Sequence, residues 1–199
     1  MKVKNLIIGF LLLAIIIGGY FGWQAYKLHK QQEIIDENIK YYNGYKFTKF
    51  HNSWLTDVAV DKTLFNLEFR FLPSQTENIS MQGALATFSS RQVYVTFDPY
   101  VSESILPYTS LAVYDVGSNL AVVFNVEPVA ACTRLKNGTC PPRPIATCDN
   151  DTLSVIYIKV ADKAGISMTN RCITISGQGF DLVRAVDRFI YSLLGIMKA

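Results

Sequence analysis

The sequence predicts an α+β protein: an N-terminal transmembrane helix and helical stalk, then a two-layer domain of mostly antiparallel sheet covered by two helices. Three observations carry this. Residues 6–23, LIIGFLLLAIIIGGYFGW, contain no charge, and about 20 apolar residues cross a bilayer of roughly 30 Å as a helix. Short alternating runs bounded by turn residues follow from Asn43 onward. From Asp181 to Lys198, residues Leu182, Val183, Val186, Phe189, Ile190, Leu193, Leu194 and Met197 share one helical face, with Arg184, Asp187, Arg188 and Tyr191 on the other.

In order along the chain, residues 1–5 form a short tail and 6–23 a signal anchor. A cleaved signal peptide is the weaker reading, because Gly22-Trp23-Gln24-Ala25 is a poor small-x-small site. A pilin-type leader is also weaker, since Asn5 leads directly into Leu6 and no acid follows until Glu33. Lys2 and Lys4 flank one end of the run and Lys27 and Lys30 the other, so charge alone barely sets direction. Residues 24–42 lack Gly and Pro and carry Leu28, Ile35, Ile39 and Tyr42 at near-heptad spacing. This reads as a helical stalk with a narrow seam, available for self-association or for packing on its own domain.

The domain, residues 43–199, opens on the turn signal Asn43-Gly44. YKFTKF and WLTDVAV, joined by His51-Asn52-Ser53, read as a hairpin. LFNLEFRFLP alternates Leu64, Asn66, Glu68 and Arg70 against Phe65, Leu67, Phe69 and Phe71, whose face belongs in the core. Residues 74–78 read as an exposed loop and RQVYVTF as a strand ended by Asp98-Pro99. Residues 104–124 admit a hairpin turning at Gly117-Ser118, but the stripe Leu111, Ala112, Val116, Leu120, Val123 and Phe124, with Pro107 near the start, favours a buried helix. LSVIYIKVA and ISMTNRCITIS read as two strands. Gly177-Gln178-Gly179 then turns into the last helix, with Asp181 as its N-cap.

Composition narrows the function classes. From residue 41 onward there are 14 basic and 13 acidic residues, and no basic block is interleaved with aromatics, which argues against a nucleic-acid partner. Cys132, Cys140, Cys148 and Cys172 lack the paired spacing and nearby histidines of a zinc site. Two disulfides are the better reading and imply an oxidising compartment. Three pairings are open; Cys132–Cys140 with Cys148–Cys172 is favoured. Asn78, Asn137 and Asn150 head N-x-S/T sequons, all on the proposed outer side.

Catalytic motifs are sparse. His51 lies in the expected hairpin turn, with no nucleophile elbow. Gly177-Gln178-Gly179 lacks the third glycine of a dinucleotide fingerprint, Leu182 standing in its place, and Asp181 would repel a phosphate. Asp98 with Glu103, and Asp57 with Asp61, read as solvated surface. No catalytic, cofactor or metal residue is assigned. Arg184, Asp187 and Arg188 are the candidate partner-binding residues, with Arg184–Asp187 as an i, i+3 pair on a solvated face.

The segments EPVAACTRLKNGTCPPRPIATCDN and NRCITISGQGFDLVRAVDRFIYSLLGIMK resemble an uncharacterised family of short single-pass archaeal membrane proteins with a Cys-rich loop and a C-terminal amphipathic helix. The resemblance is strongest over residues 119–198. It implies a helix at 104–124 and an archaeal envelope setting, and brings no activity. The expectation is an extracytoplasmic domain on a membrane anchor, its N-terminus cytoplasmic. Its expected role is non-catalytic binding, tethering or assembly. A pilin-like or pseudopilin-like filament subunit and a thiol-redox or other membrane enzyme are the alternatives. Expected partners are the lipid bilayer through residues 6–23, an envelope protein, or a second copy through the stalk.

Overall fold

A computed structural model describes residues 2–83, 91–138, 140, 142–150, 152–169 and 171–198; the side chains of residues 2–14 and 34–36 fall outside that description. The chain divides into two units, residues 1–40 and 41–199.

In the first unit, helix α1 (Lys2–Asn38) runs without a break. Ile15, Ile16, Phe21, Trp23, Tyr26 and Leu28 are exposed along it, and the Lys27 ammonium sits 4.0 Å from the Trp23 ring centre one turn away. Among the described residues no helix is long and apolar enough to cross a membrane; the apolar run reaches back into residues whose side chains lie outside the description. The stalk was expected to continue as helix to residue 42, but Ile39–Tyr42 is strand β1. Asn43 and Gly44 take positive φ of 47° and 84°, the twist of a two-residue hairpin, so the residues before them are held as a strand.

From Ile39 onward the chain forms two sheets. The first is a meander of β1, β2 (Tyr45–Phe50), β3 (Ser53–Val60) and β4 (Thr63–Phe69), in that order. Its ladders are antiparallel, with Phe47 opposite Thr56 and Thr56 opposite Leu67. Phe47, Val58, Leu67 and Phe69 are buried, the face that alternation predicts, while Phe65 and Phe71 are half-buried. A single 3-10 turn (Pro73–Gln75) follows. The expected exposed loop here is exposed at Ser74, Gln75, Glu77 and Asn78, but Thr76 is fully buried.

The second sheet comprises β5 (Ser80–Gln82), β6 (Gln92–Phe97), β7 (Glu127–Cys132), β8 (Val155–Val160), β9 (Gly165–Thr169) and β10 (Cys172–Gly177), ordered β5-β9-β10-β8-β6-β7. Only β9–β10 is antiparallel; β5–β9, β10–β8, β8–β6 and β6–β7 are parallel. The expectation of mostly antiparallel sheet therefore holds for the first sheet and is corrected for the second. Helix α2 (Leu106–Phe124) is the reason at one edge: it carries the chain from β6 to the parallel β7, as parallel neighbours require. Gly117 lies inside α2, where a Cβ would only touch Pro128 at 3.7 Å, so residues 104–124 contain a helix and not a hairpin. Thr109, Ala112, Val116, Leu120 and Val123 form its buried stripe.

Helix α3 (Phe180–Leu193) decides the layering. Its apolar stripe packs on the second sheet through Leu182, Val186, Phe189 and Ile190. The opposite stripe meets the first sheet. Tyr191 stacks on Phe69 at 4.3 Å between ring centres and meets Phe47 edge-on at 5.9 Å. α3 thus lies between two sheets, giving three layers where two were expected, while α2 packs beside α3 on the second sheet and leaves Tyr114 and Val122 exposed. The Tyr191 hydroxyl donates to the Phe71 carbonyl at 2.6 Å. Tyr191→Phe should cost about 1–2 kcal/mol by leaving that acceptor without a donor, measured as a shift in urea midpoint with an unchanged slope.

Candidate functional site

Cys132 pairs with Cys140 and Cys148 with Cys172, at Cα separations of 6.1 and 5.3 Å. The Cys-rich segment folds back on the end of β7: Cys132 N–H donates to the Pro144 carbonyl and Ala146 N–H to the Cys132 carbonyl, both at 3.0 Å. Ala131, Ala146 and Val155 form a small buried cluster there, with Tyr94, Cys148 and Leu153 packed against it. The stapled segment therefore covers one edge region of the second sheet, as parallel strands need cover on both faces.

The three sequon asparagines are all exposed. Asn78 Oδ1 accepts from Arg184 at 2.7 Å. Asn150 Oδ1 accepts from the Thr152 N–H at 3.0 Å and hydroxyl at 2.7 Å. Thr139 and Asp151, within the other two sequons, lie outside the described residues.

Arg184, Asp187 and Arg188 do not form the solvated patch expected of them. Arg184 pairs with Asp181 at 2.7 Å instead of Asp187, and also donates to the Gln75 carbonyl. Asp187 and Arg188 are only 3% and 8% exposed. Asp187 Oδ2 accepts the backbone N–H groups of Arg70 at 3.0 Å and Phe71 at 2.8 Å. Burial pushes its carboxyl up to about 8, with nearby Asp115 adding to the rise and the two N–H groups and Arg70 opposing it. Arg188 donates to Ser192 Oγ at 2.5 Å and the Lys198 carbonyl at 2.6 Å, and burial lowers its proton affinity. A second sheet over the helix turned its polar stripe inward. These residues are structural contacts between layers.

The remaining candidates are dispersed. His51 is an exposed turn residue at φ 53°. At Gly177 an added Cβ would lie 2.7 Å from the Leu182 nitrogen, so this glycine serves close strand-to-helix packing. The N-cap position is Gly179; Asp181 sits in the first turn. Asp98 is held by Arg134 at 2.6 and 3.0 Å and by the Tyr100 N–H at 3.0 Å. Burial acts to raise its carboxyl pKa, but these bonds hold it below the usual range. Asp57 accepts from Asn66 at 2.7 Å. Among the described residues no three His, Cys, Asp or Glu side chains gather as a metal site.

What the tertiary structure assembles is a groove of about 260 Å³ between β4 and α2. From β4 come Asn66, Leu67 and Glu68, and Arg70 follows just past its end; from α2 come Tyr114, Asp115, Ser118, Asn119 and Val122. The Leu67 side chain is buried in the core, so its main chain is what borders the groove. Arg70 Nε meets Asp115 Oδ2 at 3.1 Å across one end. Burial raises the Asp115 carboxyl; Arg70 opposes that and Glu68 adds to it. Sequence reasoning missed this site. Its signals were the unbroken alternation of β4 and the polar Asp115, Ser118 and Asn119 beside the buried stripe of α2, and neither says that the two elements are neighbours.

No family model, curated protein or solved structure matches this chain.

Proposed function

We propose that this is a single-pass, signal-anchored protein whose extracytoplasmic domain performs a non-catalytic binding, tethering or assembly role in the cell envelope, archaeal as the sequence resemblance implies. The observation that carries the reading is the pairing of all four cysteines into two disulfides, which favours an oxidising compartment. Residues 6–23 supply the anchor and the bilayer is the first partner. Tyr20, Trp23 and Tyr26, exposed at the end of that run and followed by Lys27 and Lys30, suit the water interface of a membrane. Exposed Asn78, Asn137 and Asn150 are the sites for glycans. The β4–α2 groove is the binding surface.

The test is the intact mass of the chain from native membranes, with thiol alkylation before and after reduction. The expected result is membrane retention under alkaline extraction, no thiol labelled before reduction and four labelled after it. Four reactive thiols without reduction would overturn the reading. The continuous helix Lys2–Asn38 favours one second reading, a pilin-like filament subunit; trimming of the chain before Leu6 would select it.

A further inference from the structure

Four strand edges bound the two sheets: β1 and β4 in the first, β5 and β7 in the second. Three are blunted in the usual ways. β1 has four residues and carries Lys40, β5 has three residues, and β7 contains Pro128. β4, TLFNLEF, has seven residues and no Pro, Gly or Lys. Among the described residues no strand pairs with its outer edge, and α2 stands beside that edge across the groove. A strand edge beside a helix is the setting in which an extended peptide adds to a sheet, the main chain supplying affinity and alternate side chains selectivity.

The two faces of β4 set what such a peptide carries. Arg70, just past the end of β4, is engaged with Asp115 of α2, while Glu68 of the outward face is exposed. Asp57 of β3, opposite Asn66, adds a second carboxylate near that face. A guest residue beside Glu68 is therefore best basic, as in other cross-strand pairs. On the inward face the guest's next side chain points towards the helix layer, where Tyr114 and Val122 of α2 remain 68% and 62% exposed. An apolar residue suits it there.

We infer that the β4–α2 groove binds an extended peptide as a fifth strand of the first sheet, the peptide alternating basic residues beside Glu68 with apolar residues against Tyr114 and Val122. This deepens the tethering reading and rests on it for biological meaning. It identifies the partner as a protein segment with an exposed, positively charged β-strand.

The experiment uses the full chain in lipid nanodiscs and follows backbone amide shifts. The probe is acetyl-Val-Lys-Val-Lys-Val-Lys amide. The expected result is saturable shifts confined to the amides of Asn66–Phe69 and Asp115–Val122. The Val-Glu counterpart should bind at least about tenfold weaker, and so should a Val-Lys peptide N-methylated at alternate residues, which loses ladder donors. Glu68→Lys, an exposed change that leaves the core intact, should reverse the charge preference. Shifts elsewhere, equal binding of both charges, or no effect of N-methylation would each overturn the inference. So would concentration-dependent shifts at β4 without peptide, which would make a second copy the occupant. Failure here with four thiols still blocked removes only the peptide; reactive thiols remove the extracytoplasmic reading itself.

Discussion

Asp187→Ala is expected to lower the stability of the domain by about 2–6 kcal/mol, the cost of stranding two buried N–H donors at about 1–3 kcal/mol each. The single oxygen Oδ2 holds the backbone of both Arg70 and Phe71, at the point where β4 leaves the sheet. Asp187→Asn retains an amide oxygen for the same donors and should be far milder. The pair also separates hydrogen bonding from charge. The carboxyl is raised to about 8 in the fold by burial above all. Between its ordinary value near 3.8 and about 8 the unfolded chain gives up this proton while the folded chain keeps it. The unfolded state then binds fewer protons, so stability falls as pH rises. The contribution is fully present below the ordinary value and lost as pH climbs towards about 8. Urea unfolding of the full chain in detergent at pH 5 and pH 8 checks this. Wild type should lose more stability than Asp187→Asn over that interval, and parallel profiles would show that the folded acid is already ionised.

The second large effect is expected from Cys148→Ser with Cys172→Ser. These residues are 24 apart in the chain, against 8 for Cys132 and Cys140. Closing the longer loop restricts the unfolded chain more, worth about 3.5 kcal/mol by the chain-entropy relation against about 2.6 for the shorter one. Cys172 opens β10 at the centre of the second sheet, whereas the Cys132–Cys140 bridge ties the Cys-rich segment to the end of the edge strand β7. Unfolding midpoints of the two double variants, with the remaining pair kept oxidised, should rank in that order. The reverse ranking would mean that native packing around Cys132, which is fully buried, outweighs loop closure.

The legible parts of this fold are those where neighbours in the chain are neighbours in space. Asn43-Gly44 wrote its own hairpin because both residues accept positive φ. β4 alternates strictly, so its buried Leu67 and Phe69 could be named. The favoured cysteine pairs were the closest combinations along the chain. Even here reach was limited: β7 was hidden inside the Cys-rich segment by Pro128 and the small Ala130 and Ala131, and ISMTNRCITIS, residues 166–176, read as one strand although β9 ends at Thr169 and β10 begins at Cys172.

Sequence by itself determined the long N-terminal helix, the β2–β3 hairpin, the alternation of β4 and the apolar stripe of α3, and it favoured a helix within 104–124 without excluding a hairpin, because each is set by backbone preference and a hydrophobic period of two or about 3.6 residues. Only the tertiary structure decided that the second sheet is largely parallel, that Asp187, Arg188 and Tyr191 face a second sheet and not water, and that β4 stands beside α2 with a groove between them. Burial of apolar area is non-directional. An amphipathic period states that one face of an element will be covered, but only packing against distant segments decides what covers it, and whether the polar face is then left to solvent.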